Sequence, residues 1–547
     1  MRPEYICDFQ QRTIELRRQH RKDSMMNKSR AVAYLLTVTI IMLILPTAQA
    51  VDIDLSETCS LADAITAANT DTAVGDCPAG DGADTISLSG DITLTATLPH
   101  ITSEITIDGG GFTISGRNRV RIFAVNGGTF TVNELTMTRG KADWGGAIVN
   151  VNGGTVSIND SAVTRNEAAE GGAIGNEAAL TISNTVVNQN TAKQGGAIHS
   201  LSGRLAITNS SVSANSTDQA TGGAIYVQKG TLMITESVFR DNSAGKKSGG
   251  AIHFEEGNLT IHRTAFIGNA AHYGGAILFD SGTMKMDEVI VQVNTAQYGG
   301  GVYLGYDAIL HMNNGQFLSN IARFSGGGIY TRNGAERIKD SLFSENRAKN
   351  GGAIALDSGQ MVVSESSFWS NVADEEGGAI RNGSSNPFRG SLTVTNGSFS
   401  FNKAVEGGAI YVQDKRSATL IHLHIVENGA SASGGGLYRD PGAEVHIYNS
   451  LIARNVAGDC FGRMNTNVRN LIEDGSCFPA LIGDPMLQDI VEPKDSGRLF
   501  FPLEAGSPAI DAADALFCPD TDIIGTPRPQ GAACDIGAFE YIGSESD

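Results

Sequence analysis

Proline, tryptophan and positive charge are all scarce in this chain of 547 residues. Fourteen prolines exclude a collagen or a Pro-rich linker protein. Forty Lys and Arg stand against 59 Asp and Glu, a net charge of −19. Residues 1–50 carry eight basic and four acidic side chains, so the remainder stands near −23. That balance excludes a nucleic-acid partner and docking on anionic lipid, and it disfavours pectin, alginate and other polyanionic substrates. No stretch shows sustained 3.6-residue periodicity, which removes ankyrin, TPR and HEAT arrays. C-x-x-C, Cys/His clusters, H-E-x-x-H and G-x-S-x-G are also missing, so no metal or cofactor is expected. Gly245-Lys246-Lys247-Ser248 lacks the upstream glycine of a phosphate loop.

What the chain does have is glycine, 66 residues of it, and an N-terminus patterned for export. Lys28 and Arg30 precede the apolar run Ala31–Leu45, and Ala48-Gln49-Ala50 offers small-x-small cleavage. Residues 1–50 therefore read as a leader with a signal peptide, its true start at Met25 or Met26. The alternative is a retained N-terminal anchor. Six cysteines follow in three local pairs: Cys59/Cys77, Cys460/Cys477 and Cys518/Cys534. Short-range even pairs in an exported chain read as disulfides and place the protein outside the cell or on its surface. No integral membrane domain is expected in the mature chain.

Between residues 145 and 436 a Gly-Gly doublet recurs twelve times at spacings of 24 to 30 residues, usually continuing Gly-Gly-Ala-Ile. In phase with it, an apolar residue is followed three positions later by Asn, from Val163/Asn166 through Phe343/Asn346 to Ile452/Asn455. Short alternating strands such as Leu180-Thr-Ile182 and Leu259-Thr-Ile261 precede each pair. Coils of this length suit a single-stranded right-handed parallel β-helix, an all-β solenoid of the pectin-lyase-like kind. About fifteen coils at roughly 4.8 Å give a rod of roughly 70 Å. The Val/Phe column stacks inside, and the Asn column forms an amide ladder at a turn.

A solenoid needs closed ends. Residues 51–83 form the expected N-terminal cap, with Ser60 starting a helix that buries Leu61, Ala64, Ile65 and Ala68. Residues 84–456 form the β-helix. Residues 457–547, richer in proline and lacking the doublet, form a loop-rich C-terminal cap braced by two disulfides.

These segments carry family resemblances. Cys59-Ser-Leu-Ala-Asp-Ala-Ile65 resembles the CSLREA motif of secreted bacterial proteins, with Ala62 and Asp63 replacing its Arg and Glu. Gly506-Ser-Pro-Ala-Ile-Asp511, Arg528-Pro529 and Asp535-Ile-Gly-Ala-Phe-Glu540 resemble the choice-of-anchor Q module. The repeats resemble the passenger region of chlamydial polymorphic outer-membrane proteins, which implies surface display and adhesion. The transmembrane β-barrel that ends those proteins has no counterpart here.

Polysaccharide lyases and glycoside hydrolases also use this fold, so an enzyme is the alternative. The expected catalytic sets are missing: no Asp-Asp pair and no Gly-His-Gly occur in the repeats. Arg337-Ile-Lys339 and Asn69-Thr-Asp71 match polygalacturonase fragments by chance, and Asp374-Glu375-Glu376 near Arg381 reads as a solvated turn. The only enlarged repeat spans 377–407 and contains Asn386-Pro-Phe-Arg389.

One position points to a surface. If the Ile of Gly-Gly-Ala-Ile faces inward, the next residue faces outward. It is His199, Tyr226, His253, Leu278, Tyr303, Tyr330, Ala355, Arg381, Tyr411 and Tyr438. The seven rings make an exposed stripe that either stacks on itself or binds a glycan or a host or neighbouring-cell surface protein. The function expected is a non-catalytic, adhesin-like or carbohydrate-binding protein.

Overall fold

The computed structural model describes residues 51–543, except 219–220, 246–247, 384–389 and 492–499. The expected leader, Lys246-Lys247 and Asn386-Pro-Phe-Arg389 lie outside the described residues. The chain is a right-handed parallel β-helix of about 14 turns. No helix among the described residues is long and apolar enough to cross a membrane.

A coil has up to four short strands, and in several coils the first two run together, as at Ile225–Thr235 and Ile252–His262. In one coil they are Ile148–Val151, Thr155–Asn159, Ala162–Thr164 and Glu167–Glu170. Alternation sends Val156, Ile158 and Val163 into a dry interior. The bends turn on left-handed residues: Asp160 (φ 49°), Arg165 (φ 56°) and Gly171 (φ 58°). Two of the three are not glycine, an uncommon conformation for them. It is held because each bend donates its N–H to the next coil, Asp160 to the Ser183 carbonyl and Arg165 to the Asn188 carbonyl, both at 3.1 Å.

Successive coils pair in register, so like side chains stack. Ile148, Ile174, Ile198, Ile225, Ile252 and Ile277 are direct partners in turn. Phe317, Phe343, Phe368 and Phe399 stack with ring centroids 5.0, 4.9 and 4.6 Å apart. The asparagines form the ladder expected. Asn294 Nδ2 donates to Asn320 Oδ1 at 3.0 Å and back to the Phe266 carbonyl at 3.0 Å, while its N–H donates to the same Oδ1. This pattern runs from Asn166 to Asn455. It satisfies buried backbone groups that would otherwise be orphaned by the bend. The ladder ends on a carboxyl: Asn455 Nδ2 donates to Asp459 Oδ1 at 2.9 Å. Burial pushes Asp459 up to about 6. A second ladder uses hydroxyls at the preceding corner, where Ser161, Thr185, Ser210 and Ser237 each accept an N–H from the previous coil.

Carboxylates break the apolar columns at Asp84, which pairs in register with Ile105, and at Glu336. Glu336 occupies the column between Leu310 and Met361 and is 1% exposed. Thr331 donates to its Oε1 at 2.5 Å, Oε2 has no hydrogen-bond partner, and burial pushes the carboxyl up to about 7.

At the N-terminal end, helix α1 (Leu61–Thr70) is capped by Ser60, whose Oγ accepts from the Asp63 N–H. Its buried face joins the core of the first coils, and Cys59–Cys77 ties its start. Asn69 accepts from the Thr102 and Ser103 N–H groups, a structural use of that residue. At the other end the parallel ladder continues through Cys460–Phe461, Thr466–Val468 and Leu471–Ile472. Cys460–Cys477 and Cys518–Cys534 are both formed. Residues 485–491 and 500–541 then pack against the side of the last coils, not only beyond them. Leu487, Phe501, Leu503, Ala509 and Ile536 cover Val426, Leu451 and Ala453.

Candidate functional site

The ring positions lie where the fourth strand of one coil turns through Gly-Gly into the first strand of the next. The first glycine is left-handed at each repeat, and a β-carbon on it would strike backbone, as at Gly222 against the Ile225 carbonyl. Only such a sharp corner brings the residue before Gly-Gly alongside the residue after Ile.

The rings form stacked runs along the rod. His199, Tyr226 and His253 have centroids 4.9 and 5.2 Å apart. Tyr303 and Tyr330 are 5.1 Å apart. Tyr411, Tyr438 and Phe461 follow at 5.0 and 4.7 Å. Leu278 and the pair Ala355/Arg381 interrupt them.

The expectation of exposure needs correction. His199, Tyr226, His253, Tyr303 and Tyr411 are only 2%, 7%, 5%, 7% and 5% exposed, and Tyr330 and Tyr438 are half-buried. Alternation does send them away from the interior, but each ring is then covered by its neighbours above and below and by flanking columns on both sides. On one side stand residues just before Gly-Gly: Tyr273 meets Tyr303 edge-on at 5.3 Å, and Tyr298 meets Tyr330 at 5.4 Å. On the other side stand carboxylates. The Tyr226 hydroxyl donates to Glu255 at 2.5 Å, and the Tyr411 hydroxyl to Asp440 at 3.1 Å. His253 Nε2 lies 2.8 Å from Asp280. On the Gly-Gly side, His199 Nδ1 lies 3.2 Å from Glu170, the residue before Gly171.

This surrounding holds the tyrosines in their uncharged forms. Burial first, then Glu255, pushes the Tyr226 phenol up; burial does the same for Tyr330 and Tyr411, and takes Tyr303 up to about 12. Burial lowers His199, with Glu170 opposing. The accessible surface is the rim of this corner, not its floor. It comprises half-buried Trp144, Tyr273, Tyr298 and Phe324 with partly exposed Glu170, Asp280, Glu376 and Glu406. The rim aromatics went unnoticed in the sequence, although Trp144, Tyr273 and Tyr298 directly precede a Gly-Gly doublet.

The other sequence candidates are dispersed. Asp374 pairs with Arg347 at 2.8 Å, Glu375 with Lys349 at 3.0 Å and Glu376 with Arg381 at 2.6 Å, three structural ion pairs. Arg337 and Lys339 face outward from the second strands, and Asn69 sits at the end of α1. His262, Asp287 and Glu288 bring three ligand atoms together. Glu288 is already held by Arg263 at 2.9 Å, and Asp287 by His262 and Asn313.

Against known proteins, residues 275–452 match the family described as right handed beta helix region. A 200-residue stretch is 25% identical to metabotropic glutamate receptor-like protein R of Dictyostelium discoideum. That match covers 35% of this chain and 12% of the Dictyostelium protein.

Proposed function

We propose that the protein is an exported, non-catalytic binding rod whose ring-and-carboxylate corner receives neutral glycan. The observation that carries this reading is the aromatic rim of three successive coils: Tyr273, Tyr298 and Phe324 stack with centroids 5.8 and 5.1 Å apart, beside the partly exposed Asp280. Aromatic faces accept the C–H surface of sugar rings, and carboxylates accept their hydroxyls. A fixed floor of self-stacked rings lowers the ordering cost of binding. Three disulfides suit an oxidising compartment, and the resemblance to surface-displayed repeat proteins agrees with adhesion. The acidic rim rejects anionic chains there. A glycan array probed with residues 51–547 tests this: we expect retention of neutral glycans with no loss of substrate. Turnover of any polysaccharide that survives purification, or no retention of neutral glycans, overturns the reading.

A further inference from the structure

The outer face of the second strands carries a local reversal of charge. Lys285, His311 and Arg337 are direct partners in three successive coils, all exposed. Two cations, Lys285 and Arg337, thus flank a histidine on one face, and like charges held this close weaken a sheet. Several other cations on the coils are offset by a carboxylate one coil along: Lys141–Glu167, Lys229–Glu256 and Arg347–Asp374, each at 2.8 Å. Among the described residues Lys285 and Arg337 make no ion pair. Above and below, the same column holds Thr260 and Val362, so nothing in the strand demands a long cation. The three side chains line an open trough of about 620 Å³ that also takes in His262, Asp287, Asn313 and Lys339, with Asp287 held by His262 at 3.0 Å and Lys339 by Glu365 at 3.2 Å.

We infer that this trough is a second glycan site, for a linear sulfated glycan lying along the rod. Lys285 and Arg337 stand two coils apart, roughly 10 Å. Their aliphatic stems, with the His311 ring and Val362, make a floor for sugar rings, while ammonium and guanidinium reach the anionic substituents. That combination of apolar floor and spaced cations fits a charged sugar chain better than a bare anion. A sulfate ester presents three terminal oxygens, enough to take donors from neighbouring coils together. The inference does not rest on the neutral-glycan reading, since the trough shares no residue with the ring corner.

The test uses a heparin oligosaccharide and its desulfated counterpart, titrated against residues 51–547 and against the double variant Lys285→Thr, Arg337→Thr. Threonine already occupies this column at Thr260, Thr393 and Thr419, so the variant retains the fold. We expect the double variant to lose roughly tenfold or more in affinity for the sulfated chain, with a shallower salt dependence. The desulfated chain should bind weakly to both proteins, and Tyr298→Ala should leave sulfated binding unchanged. No binding, equal binding by the double variant, or equal binding of a desulfated or uronate chain overturns the assignment.

Discussion

From Asn166 to Asn455 the coils meet the demand of buried polar groups with one bond pattern repeated in every turn. The C-terminal segment, described over 485–491 and 500–541, meets it once, with buried charge. There Arg528 Nε lies 3.4 Å from Glu540, both side chains fully buried. Arg528 also donates to the Gly537 carbonyl, and Glu540 accepts the N–H groups of Gln530 and Asp535. His422 lies between Asn449 and the Gly537 carbonyl at 2.9 and 3.0 Å. A repeated ladder tolerates a faulty rung, because each amide has equivalent neighbours. A single buried ion pair has no substitute. Stability along the rod is therefore distributed, and in the segment it is concentrated.

Removing the pair should separate the two regions most. In Arg528→Met the Glu540 carboxylate is left buried and unpaired, a loss of about 3–5 kcal/mol. Hydrogen exchange should show residues 485–541 losing protection while the amides around Asn294 keep theirs. Loss spread evenly over both regions would show that they form one cooperative unit.

The two regions should also differ in pH response. Glu336 in the coils is raised to about 7, above its unfolded value near 4.5. The unfolded chain ionises first, so these coils are most stable below pH 4.5 and lose roughly 3 kcal/mol as pH rises to about 7. Where the segment packs on the last coils, burial and then Arg528 of the segment push the coil residues His422 and His424 down to about 3. Their contribution is complete above the unfolded value of 6.5 and is lost as pH falls towards 3. Asp535 and Glu540, both raised by burial, oppose that loss. Glu336→Gln should flatten the slope of the coils between pH 4.5 and 7 and leave the acid sensitivity of the segment unchanged. Unfolding midpoints measured against pH check both; an unaltered slope in the variant would place the titrating group elsewhere.

The same contrast explains what the sequence revealed. The Asn column was legible because only a side chain that both donates and accepts can continue an amide ladder. Its terminator Asp459 was not, since an acceptor-only end looks like any aspartate. The hydroxyl ladder hid because Val289 and Gly315 stand at its corner in some coils. The ring column points away from the interior, as alternation requires. Its burial was not foreseen, because alternation distinguishes inside from outside but not whether the Gly-Gly corner folds two columns over a ring. The segment was legible only as a disulfide-braced, loop-rich end. Its contacts, such as Asn396 to the Thr521 carbonyl and His422 to Gly537, join residues more than a hundred positions apart and follow no period.

The smallest expected effect on stability is the one that bears most on function. Tyr298 is half-buried on the rim, whereas Tyr303 belongs to the covered floor. The most direct measurement is neutral-glycan affinity beside thermal midpoint for Tyr298→Ala and Tyr303→Ala. Tyr298→Ala should keep a near wild-type midpoint and lose most of its affinity. Tyr303→Ala should lose stability first, by roughly 3 kcal/mol. A Tyr298→Ala protein that binds neutral glycan as tightly as the wild type would contradict the placement of function on this rim.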